Sequence, residues 1–398
     1  MSRRPTAAAL RRRLDAAGVR SAALSRRYES DLHEVRAAAW LGLALGVSFG
    51  LCFLTGLWSS LAQDPPGWFT YPARPAGLYR VTQWVHVASG TAAIPLLLAK
   101  LWVVHHHFPR WPPARSVLHA VERLALLPLV GGGLFLLVSG TANVARWYPW
   151  TFFFPRAHYW AAWVTMGALA VHVGAKAAAS RDALRRSPAD PALVRATPSD
   201  RRAFLGGVAA VSGALVVATH GGTFAPLGDL AVLGQRRPGV GPQGLPVNKT
   251  AAAARVVDLA RDPAYRLVVE GGAVAQRLEL TLDDLRALPG RAATLPIACV
   301  EGWSESVRWR GVPVRDLLAL AGVDADAHVE VAVESLQPSG LYRVSVLNPV
   351  QARDHDTLLA LEIDGEPLHL DHGFPARLVG PARPGVAQTK WVSRLVVS

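Results

Sequence analysis

Residues 37–63 read AAAWLGLALGVSFGLCFLTGLWSSLAQ, twenty-seven positions without one charged side chain. As a helix rising about 1.5 Å per residue this stretch exceeds the roughly 30 Å hydrocarbon core of a bilayer. A helix in water needs a polar face, and this one has none. Residues 84–104, 124–145, 158–179 and 204–220 are similar in length and apolarity, with Lys100 and Arg123 near helix ends where long side chains reach the interface. Five transmembrane helices are expected from these runs.

The loop charges orient them. With the N-terminus inside, the inner segments 1–36, 105–120 and 176–203 hold 18 Lys and Arg, and the outer loops 63–83 and 146–157 hold 4. Basic residues resist translocation, so the N-terminus is expected in the cytoplasm and, after an odd number of spans, the C-terminal part on the extracytoplasmic side of the cell membrane. Trp58, Trp68, Trp84, Trp147, Trp150 and Trp160 fall near the expected outer boundary, where indole rings favour the interface.

Charge also divides the 398-residue chain. Residues 1–254 hold 27 basic and 10 acidic side chains, and residues 255–398 hold 15 and 19. The net +13 is therefore a topology signal from the membrane part, which leaves no case for a nucleic-acid partner. A mean hydropathy of +0.22 and 51% hydrophobic residues exclude a disordered chain. Two cysteines exclude a disulfide-stapled fold, and of these Cys52 reads as packing inside the bundle.

Imidazoles are costly in lipid, so His86, His158 and His172 stand out, with His105 and His119 near the inner boundary. His158 and His172 differ by 14 residues, about 1400° of helix rotation and about 21 Å of rise, which puts them on one face at two depths. Two stacked b-type haems, each taking an axial imidazole from one helix, need that arrangement. His86 falls at the depth of His158 and makes a bis-histidine pair with it; the inner partner of His172 is His105 or His119. A structural hydrogen bond is the competing role for each.

Ser199-Asp200-Arg201-Arg202-Ala203-Phe204-Leu205 precedes a run of modest apolarity and resembles a twin-arginine export signal, used by machinery that moves folded proteins. Two arginines obeying the inside charge rule would look the same. Beyond the last span, residues 221–254 are rich in Gly and Pro and read as a tether.

From 255 onward short β-branched runs take over, at 265–270, 277–280, 293–299, 328–334, 341–347 and 391–397, with helical patterns at 282–287 and 314–321. This is an α+β domain. Its single cysteine, Cys299, ends a strand and enters Val300-Glu301-Gly302-Trp303-Ser304. A cysteine so placed is either a small buried hydrophobe or a thiolate ligand for a soft metal.

The stretches 297–304 (IACVEGWS) and 307–318 (VRWRGVPVRDLL), followed by 358–360, Asp364-Gly365-Glu366-Pro367-Leu368, His372-Gly373-Phe374-Pro375-Ala376-Arg377-Leu378 and Lys390-Trp391, resemble the molybdopterin-binding domain of the sulfite oxidase family over essentially all of 255–398. The resemblance implies that Cys299 is the protein thiolate on molybdenum, that His372, Arg377, Lys390, Trp391 and Trp303 hold the molybdenum-molybdopterin cofactor, and that Tyr342 and Arg343 lie near a small-molecule substrate. Residues 80–180 look like the cytochrome b-type region attached to such domains in bacterial membrane molybdoenzymes.

The expected architecture is multi-domain. It comprises a cytoplasmic Arg-rich tail (1–36), a four-helix membrane domain (37–180), a cytoplasmic loop (181–203), a fifth span (204–220), the tether (221–254) and the molybdopterin domain (255–398), so that an all-α five-helix cytochrome b-like bundle precedes an α+β domain. The expected function is oxygen-atom transfer on an S- or N-oxide or oxyanion outside the membrane, with electrons exchanged through haem b with membrane quinone or another carrier. The alternative is an inactive binding module that keeps the fold on a plain membrane anchor.

Overall fold

The uncharged stretches form helices because a backbone in lipid must satisfy its own polar groups. In the computed structural model, which describes residues 30–107, 116–185 and 195–398 together with three isolated positions nearer the N-terminus, these helices are α1 (Val35–Gln63), α2 (Leu78–Val104), α3 (Val117–Val144), α4 (Phe154–Arg185) and α5 (Pro198–His220). Most of the Arg-rich tail, the middle of the 181–203 loop, and the side chains of His107 and His119 lie outside the described residues. Each helix starts earlier than its uncharged run, since polar residues continue a helix through the headgroup region.

The fifth expected span, at 158–179, differs from the other four in composition. Among the described residues four helices are long and apolar enough to cross a membrane: Val35–Gln63, Leu78–Val104, Ala120–Val144 and Pro198–Thr223. The longest helix, α4, is not one of them, because His158, Tyr159, Trp160, Trp163 and His172 dilute its apolar side chains and Lys176, Arg181, Asp182 and Arg185 end it.

Contacts divide the chain into two compact units. The first comprises the chain up to Phe53 together with Ala88–Val216, and the second comprises Leu54–Val87 with Val217–Ser398. In the first unit the carboxylate of Glu34, just before α1, accepts from Arg201 Nη1 of α5 at 2.8 Å, both side chains being buried. The first arginine of the twin pair is thus an ion-pair partner, while Arg202 is exposed.

The second unit carries two sheets. One has the order β2 (Leu278–Leu280), β1 (Leu267–Glu270), β10 (Val392–Val397), β5 (Val331–Ser335), β6 (Val344–Leu347). The other runs β3 (Arg291–Ala298), β4 (Ser304–Pro313), β7 (Leu358–Ile363), β8 (Glu366–Pro367), with β9 (Arg377–Val379) also on β7. Only β1 and β10 among these pairs run parallel. Strand β7 alternates between two cores. Leu359 and Leu361 pack with Val312, Leu317, Leu378 and Leu395, whereas Leu358, Ala360 and Ile363 pack with Ile297, Cys299, Trp303 and Trp309. Where β4 bulges onto β7, a Cβ on Gly311 would lie 2.1 Å from the Leu359 carbonyl oxygen, so only glycine fits.

The stretch 221–254, expected as a tether, is packed. Leu245 is fully buried beside Ile297, Trp303 and Trp309, and Ala251, Ala254, Val256 and Ala260 close over Trp391. The α1–α2 loop joins the same unit through Arg74, whose Nη2 bonds Asp354 Oδ1 at 2.8 Å and Asp356 Oδ2 at 2.6 Å, and through Tyr71, whose carbonyl accepts from Asn348 Nδ2.

A buried pair is costly to halve and cheap to replace whole. Arg201→Ala is expected to destabilise the protein by about 3–5 kcal/mol through the stranded Glu34 carboxylate. The Glu34→Met, Arg201→Met double variant should lose less than either single one. Thermal unfolding of the detergent-solubilised protein checks this, and a double variant as unstable as the sum of the singles would contradict it.

Candidate active site

Cys299 follows the last residue of β3, and a tight turn carries the chain into β4. The Cys299 amide donates to the Trp303 carbonyl at 2.9 Å and the Gly302 amide to the Cys299 carbonyl at 3.0 Å. Gly302 has φ +92°, and a Cβ there would lie 2.9 Å from Val87 and from the His220 ring, so the turn is both left-handed and crowded. Cys299 is 2% exposed. Its Sγ accepts from Asn248 Nδ2 at 2.9 Å and, more weakly, from the Glu301 amide at 3.5 Å. Burial, reinforced by the Glu301 charge, pushes the thiol up to about 12. A coordinated metal ion removes that proton outright.

Cations converge on the same region. Arg377 opens β9 and lies 5.4 Å over the Trp309 ring, with Nη1 donating to the His372 carbonyl at 3.2 Å. Lys390 Nζ donates to the carbonyls of Lys249 and Asp371 at 3.0 and 2.7 Å and lies 5.4 Å over Trp391. His372 Nε2 donates to the Pro242 carbonyl at 2.6 Å. Among the described residues no carboxylate pairs Arg377, and burial lowers it to about 9. Burial first, then the Arg377 charge, holds Lys390 well below its ordinary value. Burial lowers His372 to about 4.

Two polar atoms in this cluster, Arg377 Nε and His372 Nδ1, are buried without a hydrogen-bond partner. The unpaired Arg377 Nε–H and the uncompensated positive charge are expensive, and an anionic group with acceptors relieves both, while the Nδ1 of the neutral His372, whose Nε2 carries the proton, is left to accept from a donor. A pterin cofactor with a phosphate is such a group. The residues fit it.

The remaining expected residues divide. Trp303 is buried beside Cys299, its indole N–H donating to Glu301 Oε2 at 3.2 Å. Tyr342 is 46% exposed, and its hydroxyl is held above its ordinary value by burial first and then by the Cys299 charge. Arg343 is exposed, and no bond of its guanidinium joins the cluster among the described residues. Trp391 spends its indole N–H on the Leu370 carbonyl at 2.7 Å, and Lys390 Nζ lies over its ring. Asn248 went unsingled in the sequence because it stands in a Gly- and Pro-rich stretch. Arg383, also missed, is buried and donates to the carbonyls of Val346 and Ala387, holding the loop between β9 and β10.

Among the helix histidines, His158 Nδ1 hydrogen-bonds Ser139 Oγ at 2.8 Å and His105 Nδ1 bonds the Trp102 carbonyl at 2.6 Å. His172 Nδ1 is buried without a hydrogen-bond partner. The His86 ring lies against Gly56, where a Cβ would come within 2.8 Å of it. His105 also packs edge-on against His33, which stacks on His106 at 5.0 Å.

Residues 253–398 match the family described as oxidoreductase molybdopterin binding domain. The mitochondrial sulfite oxidase of Mus musculus is 34% identical over 33% of this chain and 29% of its own length. A putative protein-methionine-sulfoxide reductase subunit, YedZ1, of Azospira oryzae is 34% identical over 36% of this chain and 52% of its own. The chain therefore spans less than a third of the first relative and about half of the second. Among solved structures, the sulfane dehydrogenase SoxCD from Paracoccus pantotrophus is 29% identical over 34% of this chain, with a TM-score of 0.31.

His372 sets an acid limit on this domain. Its pKa falls from 6.5 to about 4 on folding, so as pH drops through 6.5 the unfolded chain takes up the proton first. Stability is then lost between pH 6.5 and about 4, by up to roughly 3 kcal/mol at 1.36 per unit. His372→Gln should flatten that slope, read as the unfolding midpoint against pH; an unchanged slope would exclude His372 as its source.

Proposed function

We propose that this chain, whose C-terminal domain is a molybdopterin-binding domain of the sulfite oxidase type, is a membrane-anchored oxidoreductase that exchanges an oxygen atom with a small S- or N-oxide or oxyanion substrate outside the membrane. The observation that carries the reading is the buried Cys299 sulfur at a strand end, beside buried cations of which Arg377 keeps an unpaired Nε–H. When bound, the molybdenum cofactor supplies the two-electron oxygen-atom chemistry. The work of the chain is to hold, orient and exclude water.

Cys299 offers a thiolate, a strong donor to a soft, high-valent metal. Arg377 would present a planar fork and Lys390 a point charge to the pterin and its phosphate, and His372 would offer its Nδ1 lone pair to a pterin N–H. Trp303 and Trp309, both buried, keep water from the inner wall. Tyr342, 46% exposed, keeps its phenol protonated at neutral pH and so would donate from Oη to a substrate oxygen. Asn248 holds the sulfur's other side at 2.9 Å.

Electron exchange belongs to b-type haem in the helices, with His86, His158 and His172 as ligands and His105 or His119 as a further one, and membrane quinone or another carrier beyond. The Ser139 bond to His158 Nδ1 supports this, because it orients the ring and directs Nε2 to a metal. The buried, unbonded Nδ1 of His172 marks a second imidazole whose surroundings leave it unsatisfied. On this reading α4 crosses the membrane, the number of spans is five, and export machinery that accepts folded cargo reads Arg201-Arg202.

Metal analysis of the purified protein should find molybdenum, and a reduced-minus-oxidised spectrum should show a b-type band. Cys299→Ser is expected to abolish turnover in a panel of sulfite, sulfoxides and N-oxides. Full activity in that variant would sink the molybdenum reading, while a spectrum without the band would reduce the helices to an anchor.

A further inference from the structure

The turn that holds Cys299 rests on a buried polar network from the ends of two helices. Ser59 lies in the last turns of α1, Tyr79 and Gln83 in the first turns of α2, and all three are buried. Ser59 Oγ donates to Gln83 Oε1 at 3.0 Å and Tyr79 Oη donates to the same oxygen at 3.3 Å. With its oxygen engaged by two hydroxyls, the Gln83 amide has one orientation, and its Nε2 donates to the carbonyl of Val300 at 3.2 Å. The reverse orientation would set two acceptors against each other. Val300 follows Cys299 directly in the chain.

The same helix ends carry His86. It lies three residues after Gln83, about 4.5 Å along the axis on neighbouring helix surface. Its ring packs on Gly56, three residues before Ser59, so Ser59–Gln83 and Gly56–His86 are successive rungs between α1 and α2. Gly302 closes the contact by lying against Val87. From the Cys299 main chain to the backbone of α2 at His86, covalent bonds are interrupted by one hydrogen bond.

We infer that Gln83 is the bridge that couples the Cys299 turn electronically to His86. The inference rests on the functional reading above, with haem at His86. In the step concerned, one electron leaves the reduced centre and the other centre gains it; no bond forms or breaks and no proton is required. Bonded and hydrogen-bonded atoms carry such coupling better than a gap does. An apolar side chain at 83 would fill the space and leave the Val300 carbonyl without this donor. Gln83 touches neither substrate nor metal and acts as a positioning residue.

Gln83→Met nearly keeps the volume and removes the donor. The full-length protein is mixed with sulfite, or after reduction with dithionite is mixed with dimethyl sulfoxide, and the haem band is followed by stopped flow. Molybdenum content, haem content, haem potential and turnover with a soluble dye in place of haem are measured alongside. The expected result is unchanged cofactors, potential and dye-coupled turnover, with the haem rate lower by about tenfold. A haem rate within about twofold of the unmodified protein overturns the bridge, as does a parallel fall in dye-coupled turnover, which a merely structural role would give. Should Gln83→Met lose a cofactor, the Ser59→Ala, Tyr79→Phe pair, which releases the amide without touching it, takes its place with the same two outcomes. If the unmodified protein lacks molybdenum or haem, or shows no haem change with either substrate, the functional reading falls and the bridge with it.

Discussion

Strand β7 is buried on both faces save at Glu362, and the second unit is arranged around that constraint. Its successive side chains must fill two cores, so Leu359 and Leu361 serve one and Leu358, Ala360 and Ile363 the other. A strand buried on both faces needs partners on both edges, which β4 and β9 provide. The β4 partner can approach only at Gly311, and the β9 partner brings Arg377 opposite Ala360, deep enough that its guanidinium finds a ring and a carbonyl but no carboxylate. The cation of the site is therefore buried as a consequence of how the sheet closes.

That burial decides what the site can hold. A lone guanidinium in the interior is unfavourable by several kcal/mol unless something compensates it. Here main-chain carbonyls from residues 242, 249, 371 and 372 take one donor or another from His372, Lys390 and Arg377, and these partial charges compensate incompletely. Arg377 Nε and His372 Nδ1 remain without partners. A site in this condition selects for an anionic guest that brings an acceptor to Arg377 Nε and a donor to His372 Nδ1, and against a bare hydrophobic one. The neutral thiol beside it changes character only when a metal ion takes its proton's place.

Much of this was legible from the chain alone, because the signals were local. Cys299 stands at the end of an apolar run and before a glycine, and the spacing of Arg377, Lys390 and Trp391 needs only the motif. The strands at 267–270, 278–280 and 392–397 followed from β-branched runs. What escaped depended on tertiary context. β7 is LLALEI, a composition that suits a helix as well as a strand, and two-sided burial removes the alternation that would have identified it. β4 hides behind Arg308 and Arg310, which face outward on alternate positions. Asn248 and Leu245 sit among glycines and prolines, and that composition is equally compatible with a tether and with a packed irregular segment whose shape the rest of the domain imposes.

The polar composition of α4 has a physical consequence for the proposed topology. Four apolar spans would return the C-terminal domain to the side of the N-terminus, and a fifth crossing by α4 puts it on the other side. His158 and His172 weigh against that crossing, since a neutral imidazole in hydrocarbon must find partners for both ring nitrogens. Ser139 meets this need at one nitrogen of His158; nothing hydrogen-bonds His172 Nδ1. Binding to haem iron would occupy a nitrogen of each ring, converting the least apolar helix into one that lipid accepts. On the proposed reading the haems and the placement of the molybdenum domain are therefore coupled, because the ligands that carry electrons are the same side chains whose polarity otherwise keeps α4 out of the membrane.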